Sequence, residues 1–168
     1  MALIVRPAGT ASDYAAIHRM QQDMAAWDAA ECTALGYPGE EVAQAFYGDT
    51  AQEMQDIFAA RDALLLVAEV EGAIVGHAGF FRHDADLAEL CKVWVEPAAR
   101  GKGTAWQLLS PLPAAMAAVG YRGAILETTV FMPSAIRLYE RLGFRRCPQV
   151  RDPPFGMGPI TVFMQSRF

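Results

Sequence analysis

Cysteine is scarce and unpaired: Cys32, Cys91 and Cys147 are the three in 168 residues, and none stands in a C-x-x-C pair. An odd count without spacing excludes a disulfide framework and reads as reduced thiols in a cytoplasmic protein. Long apolar runs are missing too. The longest, Ala63 to Ala68, is far too short to cross a bilayer, and the start, Met1 to Pro7, has no basic leader, so neither a signal peptide nor a membrane partner is expected. Basic residues are in deficit, 14 Lys and Arg against 19 Asp and Glu, for a net charge of -5. That balance argues against nucleic acid as a partner, since binding it needs basic surface to displace counterions. It would weakly steer a cationic substrate. No internal repeat, low-complexity tract or linker is visible, so residues 1–168 read as one domain. At 53% hydrophobic residues and 20% charged, the chain can bury a sizeable core and is not expected to be disordered.

What is there falls into two halves. Leu3 to Arg6 reads as a short strand stopped by Pro7. Ser12 or Asp13 can cap a helix whose apolar stripe is Ile17, Met20, Met24 and Trp27. From Asp28 to Glu40 that pattern fails, and Gly36-Tyr37-Pro38-Gly39 is turn chemistry. Val42, Ala45 and Phe46 mark a second helical stretch. In a third, Thr50 and Glu53 have capping-box spacing ahead of Met54, Ile57 and Phe58. The period then changes to that of strands. Ala63 to Glu71 and Ala73 to Phe81 read as a hairpin about Gly72, and Leu87 to Val95 as a third strand ended by Pro97. Gly103 to Gly120 reads as a helix, Ala124 to Phe131 as a strand, and Pro133 to Leu142 as a helix with Pro133 near N1 and Gly143 near C′. Phe144 to Val150 and Ile160 to Phe168 look like closing strands. This order indicates an α/β (α+β) domain with a mixed, mainly antiparallel sheet of six to seven strands flanked by helices.

The chemistry concentrates in Val95 to Ala105, which follows a strand and opens a helix. A helix N-terminus presents unpaired N–H groups and partial positive charge. Glycines let backbone approach a phosphate without Cβ in the way, and Arg100 and Lys102 add charge. A dinucleotide fingerprint starting at Gly101 and Gly103 fails, with Trp106 where a third Gly belongs. A P-loop fails as well, because no Gly lies five residues before Gly101 and no Ser or Thr follows Lys102. The turn alone fits several folds.

Taken with a second motif, it resembles the GNAT superfamily of acetyl-CoA-dependent N-acetyltransferases. Arg100-x-x-Gly103-x-Ala105 matches the family's Q/R-x-x-G-x-G/A, preceded by Val95-Glu96-Pro97. Downstream, Ala135 to Phe144 matches A-x-x-L-Y-x-x-x-G-F. The resemblance implies acetyl-CoA as co-substrate and no metal. It implies pyrophosphate on Arg100, Gly101, Lys102, Gly103, Thr104 and Ala105. It also implies a pantetheine arm that pairs like an added strand along Val93, Trp94 and Val95, from which a backbone N–H serves the oxyanion. Two departures stand out. Pro111 and Pro113 fall inside the helix after the turn, where an interior proline costs roughly 3 kcal/mol, so a bend or break near Ser110 is expected. Met132 replaces an Asn that commonly contacts the cofactor, leaving no side-chain hydrogen bond expected there.

Amide formation from a thioester needs an amine that loses a proton, a stabilised oxyanion and a protonated leaving thiolate. By resemblance Tyr139 donates to the thiolate; its phenol, ordinarily near pKa 10, suits an alkyl thiol. Glu89 is the candidate base, either directly or through a water, and its competing reading is a solvent-facing charge at a strand start. Glu127 is the alternative base or an anchor for the amine. Cys91 as a covalent nucleophile lacks an identifiable partner, so a plain buried thiol is preferred. His18, His77 and His83 lack ligand spacing; His18 reads as helix surface, His83-Asp84 as a turn, and His77 as strand interior or cleft. The acceptor would lie on Trp27 to Asp49, where Asp28, Glu31, Glu40, Glu41 and Asp49 stand beside Trp27, Tyr37, Phe46 and Tyr47 and can hold an ammonium by charge and cation–π contact. The expected partner is a small-molecule amine. The rival readings are protein or peptide acetylation and a non-catalytic acyl-CoA-binding module. A homodimer through the C-terminal strands is implied by the resemblance alone.

Overall fold

Glu71 and Gly72 both adopt left-handed backbone, with φ of 51° and 79°. This two-residue turn folds β2 (Leu64–Val70) onto β3 (Ala73–Arg82) as the expected hairpin, because a turn of that hand matches the twist of the strands it joins. In the computed structural model, which describes residues 2–168, the hairpin belongs to a seven-stranded sheet of order β1-β2-β3-β4-β5-β7-β6. The others are β1 (Leu3–Pro7), β4 (Leu87–Val95), β5 (Gly123–Thr129), β6 (Arg145–Arg146) and β7 (Thr161–Arg167). Only β4 and β5 run parallel, so the sheet is mixed and mainly antiparallel, as expected.

Along β2 the side chains alternate between two cores. Leu66 and Ala68 pack with Phe80, Leu108, Leu112, Met116 and Phe144 on one face. Leu65 and Val67 pack with Tyr14, Ile17, Met54 and Phe58 on the other. This period of two lets helices cover both sides. α1 (Ala11–Ala34) and α3 (Ala51–Phe58) supply the second face, and α4 (Thr104–Leu109), α5 (Leu112–Ala118) and α6 (Pro133–Arg141) the first. α2 (Gly39–Tyr47) closes a smaller cluster in which Cys32 and Val42 meet Met157 and Ile160.

Several expectations need correction. The cap of α1 is Thr10, not Ser12 or Asp13; Asp13 is the third residue of the helix and completes a capping box by accepting from the Thr10 amide. Asp13 also takes the Arg6 guanidinium at 2.8 and 3.0 Å, which holds this buried carboxyl well below the usual carboxylate range. α1 continues through Asp28 to Ala34, where the apolar pattern fails, because the buried face there is made of Asp28 and Cys32. Of the stretch 144–150, only Arg145 and Arg146 form a strand; Pro148 has no N–H to continue the ladder. The break near Ser110 is present: α4 ends at Leu109 and α5 begins at Leu112. Pro111 and Pro113 cannot donate to the carbonyls a turn behind them, while the glycine turn ahead of α4 is left intact. The capping box at Thr50, the Pro133 start of α6 and the left-handed Gly143 after it fall where expected.

Candidate active site

A fork in the sheet creates the site. β4 and β5 pair only at Leu87, Ala88 and Glu89 with Gly123, Ala124 and Ile125. Past that point β4 continues against β3 to Val95, and β5 continues against β7 to Thr129. The two strands therefore diverge, and a cavity of about 1040 Å³ opens between them. A bulge in β4 accompanies the divergence. Lys92 and Val93 together oppose the single residue Ala78, and Lys92 takes φ of 52°, a conformation that costs a non-glycine residue of order 1–3 kcal/mol.

His77 holds that bulge. Its buried ring donates from Nδ1 to the Lys92 carbonyl at 2.5 Å, while Nε2 faces the Gln21 amide nitrogen at 3.4 Å. Burial pulls its pKa down to about 4, so the imidazole is neutral near pH 7 and the Nδ1–H tautomer is the one both contacts require. Of its two expected placements, strand interior is the one found. The Lys92 side chain runs to Asp49 at 2.8 Å, tying β4 to the segment between α2 and α3. Replacing His77 by Leu leaves the Lys92 carbonyl without its donor and is expected to cost about 1–3 kcal/mol. A denaturation midpoint unchanged from the parent would refute this.

The turn after β4 presents free amides. Gly101 and Gly103 take φ of 73° and 82° on either side of Lys102, and a Cβ at either glycine would meet no protein atom within 4 Å. Among the described residues, none of the turn hydrogen bonds engages the N–H groups from Gly101 to Ala105. Such an alternation of left- and right-handed residues at a helix start makes an anion-binding concavity. Val93, Trp94, Val95, Arg100, Gly101 and Ala105 line the cavity. Lys102 and Gly103 are exposed at its rim, and Thr104 is buried with its hydroxyl donating to Ala99 O at 2.9 Å, so its side chain serves the fold. Arg100 does not extend freely from the turn: its Nε donates to Val95 O at 2.9 Å and its guanidinium lies 4.6 Å over the Trp94 ring. Arg141 lies 4.5 Å over Trp106, fastening α6 to α4 and thus one motif to the other.

Tyr139 and Cys91 both reach the cavity. Tyr139 is 6% exposed, and burial raises its phenol well above the ordinary value, so it is protonated at any working pH. Burial pushes the Cys91 thiol up as well, which keeps it from forming the thiolate a nucleophile needs. Glu89 sits at the last paired position before the fork, and Glu127 lies on the facing strand. One guanidinium joins them: Arg151 donates to Glu89 at 2.6 Å and lies 3.3 Å from Glu127. Desolvation raises the Glu127 carboxyl despite Arg151. The solvent-facing reading of Glu89 is thus replaced by a half-buried, paired carboxylate. Arg151 was not foreseeable from sequence, since it stands in an irregular loop with no motif around it. The Met132 sulfur accepts from the Thr128 hydroxyl at 3.4 Å, a contact within the protein. On the acceptor side the structure brings Trp27, Asp28, Phe46, Tyr47 and Asp49 to the cavity; Glu31, Glu40, Glu41 and Tyr37 are not part of its lining.

Comparison with known proteins agrees with this geometry. The acetyltransferase (GNAT) family matches residues 22–144. The chain is 36% identical over 95 residues to the uncharacterized N-acetyltransferase YjgM of Escherichia coli K12, a stretch covering 55% of this chain and 57% of that protein. It is 32% identical over 109 residues to the IAA acetyltransferase of Azospirillum brasilense, covering 62% and 68%. The PaiA N-acetyltransferase of Thermoplasma acidophilum, solved in complex with coenzyme A, superposes over 100% of both chains with a TM-score of 0.76 at 17% identity. The chain thus spans less than two thirds of YjgM, while the fold is shared end to end with PaiA. With a matched region that contains the fork, the glycine turn and Tyr139, the chain belongs to the acetyltransferase (GNAT) family.

Proposed function

We propose that residues 1–168 form one acetyl-CoA-dependent N-acetyltransferase domain that moves an acetyl group directly to a primary amine of a small molecule. The observation that carries this is the fork, which leaves β4 an unpaired edge beside free turn amides and a buried phenol in one cavity. The edge of Val93 to Val95 would pair with the pantetheine amides, and the Gly101 to Ala105 amides would hold the pyrophosphate. Glu89 or Glu127 would take the ammonium proton. The neutral amine would attack the thioester carbonyl while a β4 N–H at the bulge stabilises the oxyanion, and Tyr139 would protonate the departing thiolate. The high thiol pKa of Cys91 favours this direct route over a covalent enzyme intermediate.

A small acceptor is favoured over a peptide because Arg151, from the loop before β7, bridges Glu89 and Glu127 and takes up part of the cavity lining there. The outer edge of β7 meets β6 only at Met164 and Gln165, which supports a homodimer through these strands. The cytoplasmic placement rests on the unpaired cysteines. Among the described residues, no helix is long and apolar enough to cross a membrane.

The test has two arms. Coenzyme A at a hundredfold its Kd is expected to add about 2.7 kcal/mol, a rise in Tm of roughly 5–10 °C. Thiol release from acetyl-CoA should then depend on an added amine. A flat Tm refutes cofactor binding. A raised Tm with no release across a broad amine panel leaves the non-catalytic module standing instead.

A further inference from the structure

Asp28 faces the cavity without a counter-charge. It is 3% exposed, and its Oδ1 is buried with no hydrogen-bond partner among the described residues. The other carboxylates of the cavity lining are matched: Asp49 with Lys92, and Glu89 and Glu127 with Arg151. A carboxylate buried alone loses hydration worth several kcal/mol, and buried charges are ordinarily paired. Desolvation pushes Asp28 up only to about 6, so it is mainly ionised at pH 7.

Its surroundings suit a cation. Trp27 and Phe131 meet edge to face at 5.7 Å, and Phe46 and Tyr47 add two more rings to the same lining. Aromatic faces beside a carboxylate attract ammonium and guanidinium groups. Tyr47 lines the same cavity as Asp28, Glu127 and Tyr139. The Asp28 wall, built on α1, therefore shares one space with the fork where transfer is proposed.

We propose that Asp28 holds a second cationic group of the acceptor, so that the substrate class is diamines and other amines bearing a further ammonium or guanidinium. The group at Asp28 is a spectator rather than the nucleophile. An ammonium held by an ionised carboxylate keeps its proton and has no lone pair to attack with, whereas the reacting nitrogen must arrive neutral at the thioester. The assignment of the reacting nitrogen rests on the acetyl-transfer reading above; the cation site does not.

Calorimetry with butylamine, 4-aminobutanoate and 1,4-diaminobutane, in the presence of saturating coenzyme A, separates the outcomes. The diamine should bind at least tenfold tighter than butylamine, and 4-aminobutanoate should bind weakest. Asp28→Asn should bring the diamine to the butylamine level while the Kd for coenzyme A stays within twofold. Equal binding of the three probes to the parent protein overturns the proposal without recourse to any variant. So does a preference that survives in Asp28→Asn, or a variant that slows acetylation of mono- and diamines alike, which would make Asp28 the base. If coenzyme A does not bind, the same titrations on the free protein still read the cation site, and the acetyl-transfer reading fails alone.

Discussion

Tyr139→Phe is expected to lower kcat by about 10²–10³, with KM for acetyl-CoA and the affinity for coenzyme A nearly unchanged. The substitution removes one oxygen and little else. The ring of Tyr139 packs edge to face on Phe144 at 6.3 Å within the main core, and a phenyl ring keeps that contact. Among the described residues, no hydrogen bond is among the influences on its hydroxyl, so none is broken. What is lost, on the proposed mechanism, is the proton donor to the leaving sulfur. Burial, and secondarily the Cys91 side chain, raise the phenol, which makes Tyr139 an acid across the working pH range and never the base. The alkaline limb of the kcat profile should therefore not report Tyr139 below pH 10 or so. Thiol-release kinetics on the two proteins check this. A kcat within threefold of the parent would mean that water protonates the thiolate and that Tyr139 is a packing residue. A collapse of coenzyme A binding would place it in the cofactor site.

The two motifs were legible because their chemistry is local. A glycine at positive φ before a helix, or a Pro-to-Gly frame around α6, declares its backbone whatever surrounds it. The break in the helix after the turn was legible for the same reason, since proline acts through its own missing N–H. What sequence could not show depends on residues far apart in the chain. The fork is a relation between two strands, and the bulge rests on His77 reaching Lys92 across β3 and β4. Arg151 gains its place only when its loop folds over Glu89 and Glu127. The misreading of α1 is informative. Its apolar stripe fades after Trp27 because Asp28 occupies the next inward position, with Cys32 one turn on. A polar residue on a buried helical face looks like the end of the helix when periodicity is the only guide. Here it marks the wall of the cavity.

Gly103→Val should raise KM for acetyl-CoA by about 30- to 100-fold and leave kcat within about threefold. Two effects act together. Gly103 caps α4 at φ of 82°, where a β-branched residue pays about 1–2 kcal/mol in backbone strain. Relief of that strain would turn the amides of Lys102 to Ala105 away from their common focus, where the pyrophosphate is proposed to bind. The added side chain would also project from the turn into the space proposed for the phosphate, since a Cβ there meets no protein atom. The same openness predicts little damage to the core, so Tm without ligand should fall by only a few degrees, while the stabilisation by coenzyme A should largely vanish. Gly120→Val is the control. It too lies at positive φ, 105°, with open space around it, but it follows α5, away from the cavity lining. Comparable strain without a change in KM at Gly120 would assign the Gly103 effect to the anion cradle. Equal losses of cofactor affinity in both variants would assign it to general destabilisation and remove the turn from the site.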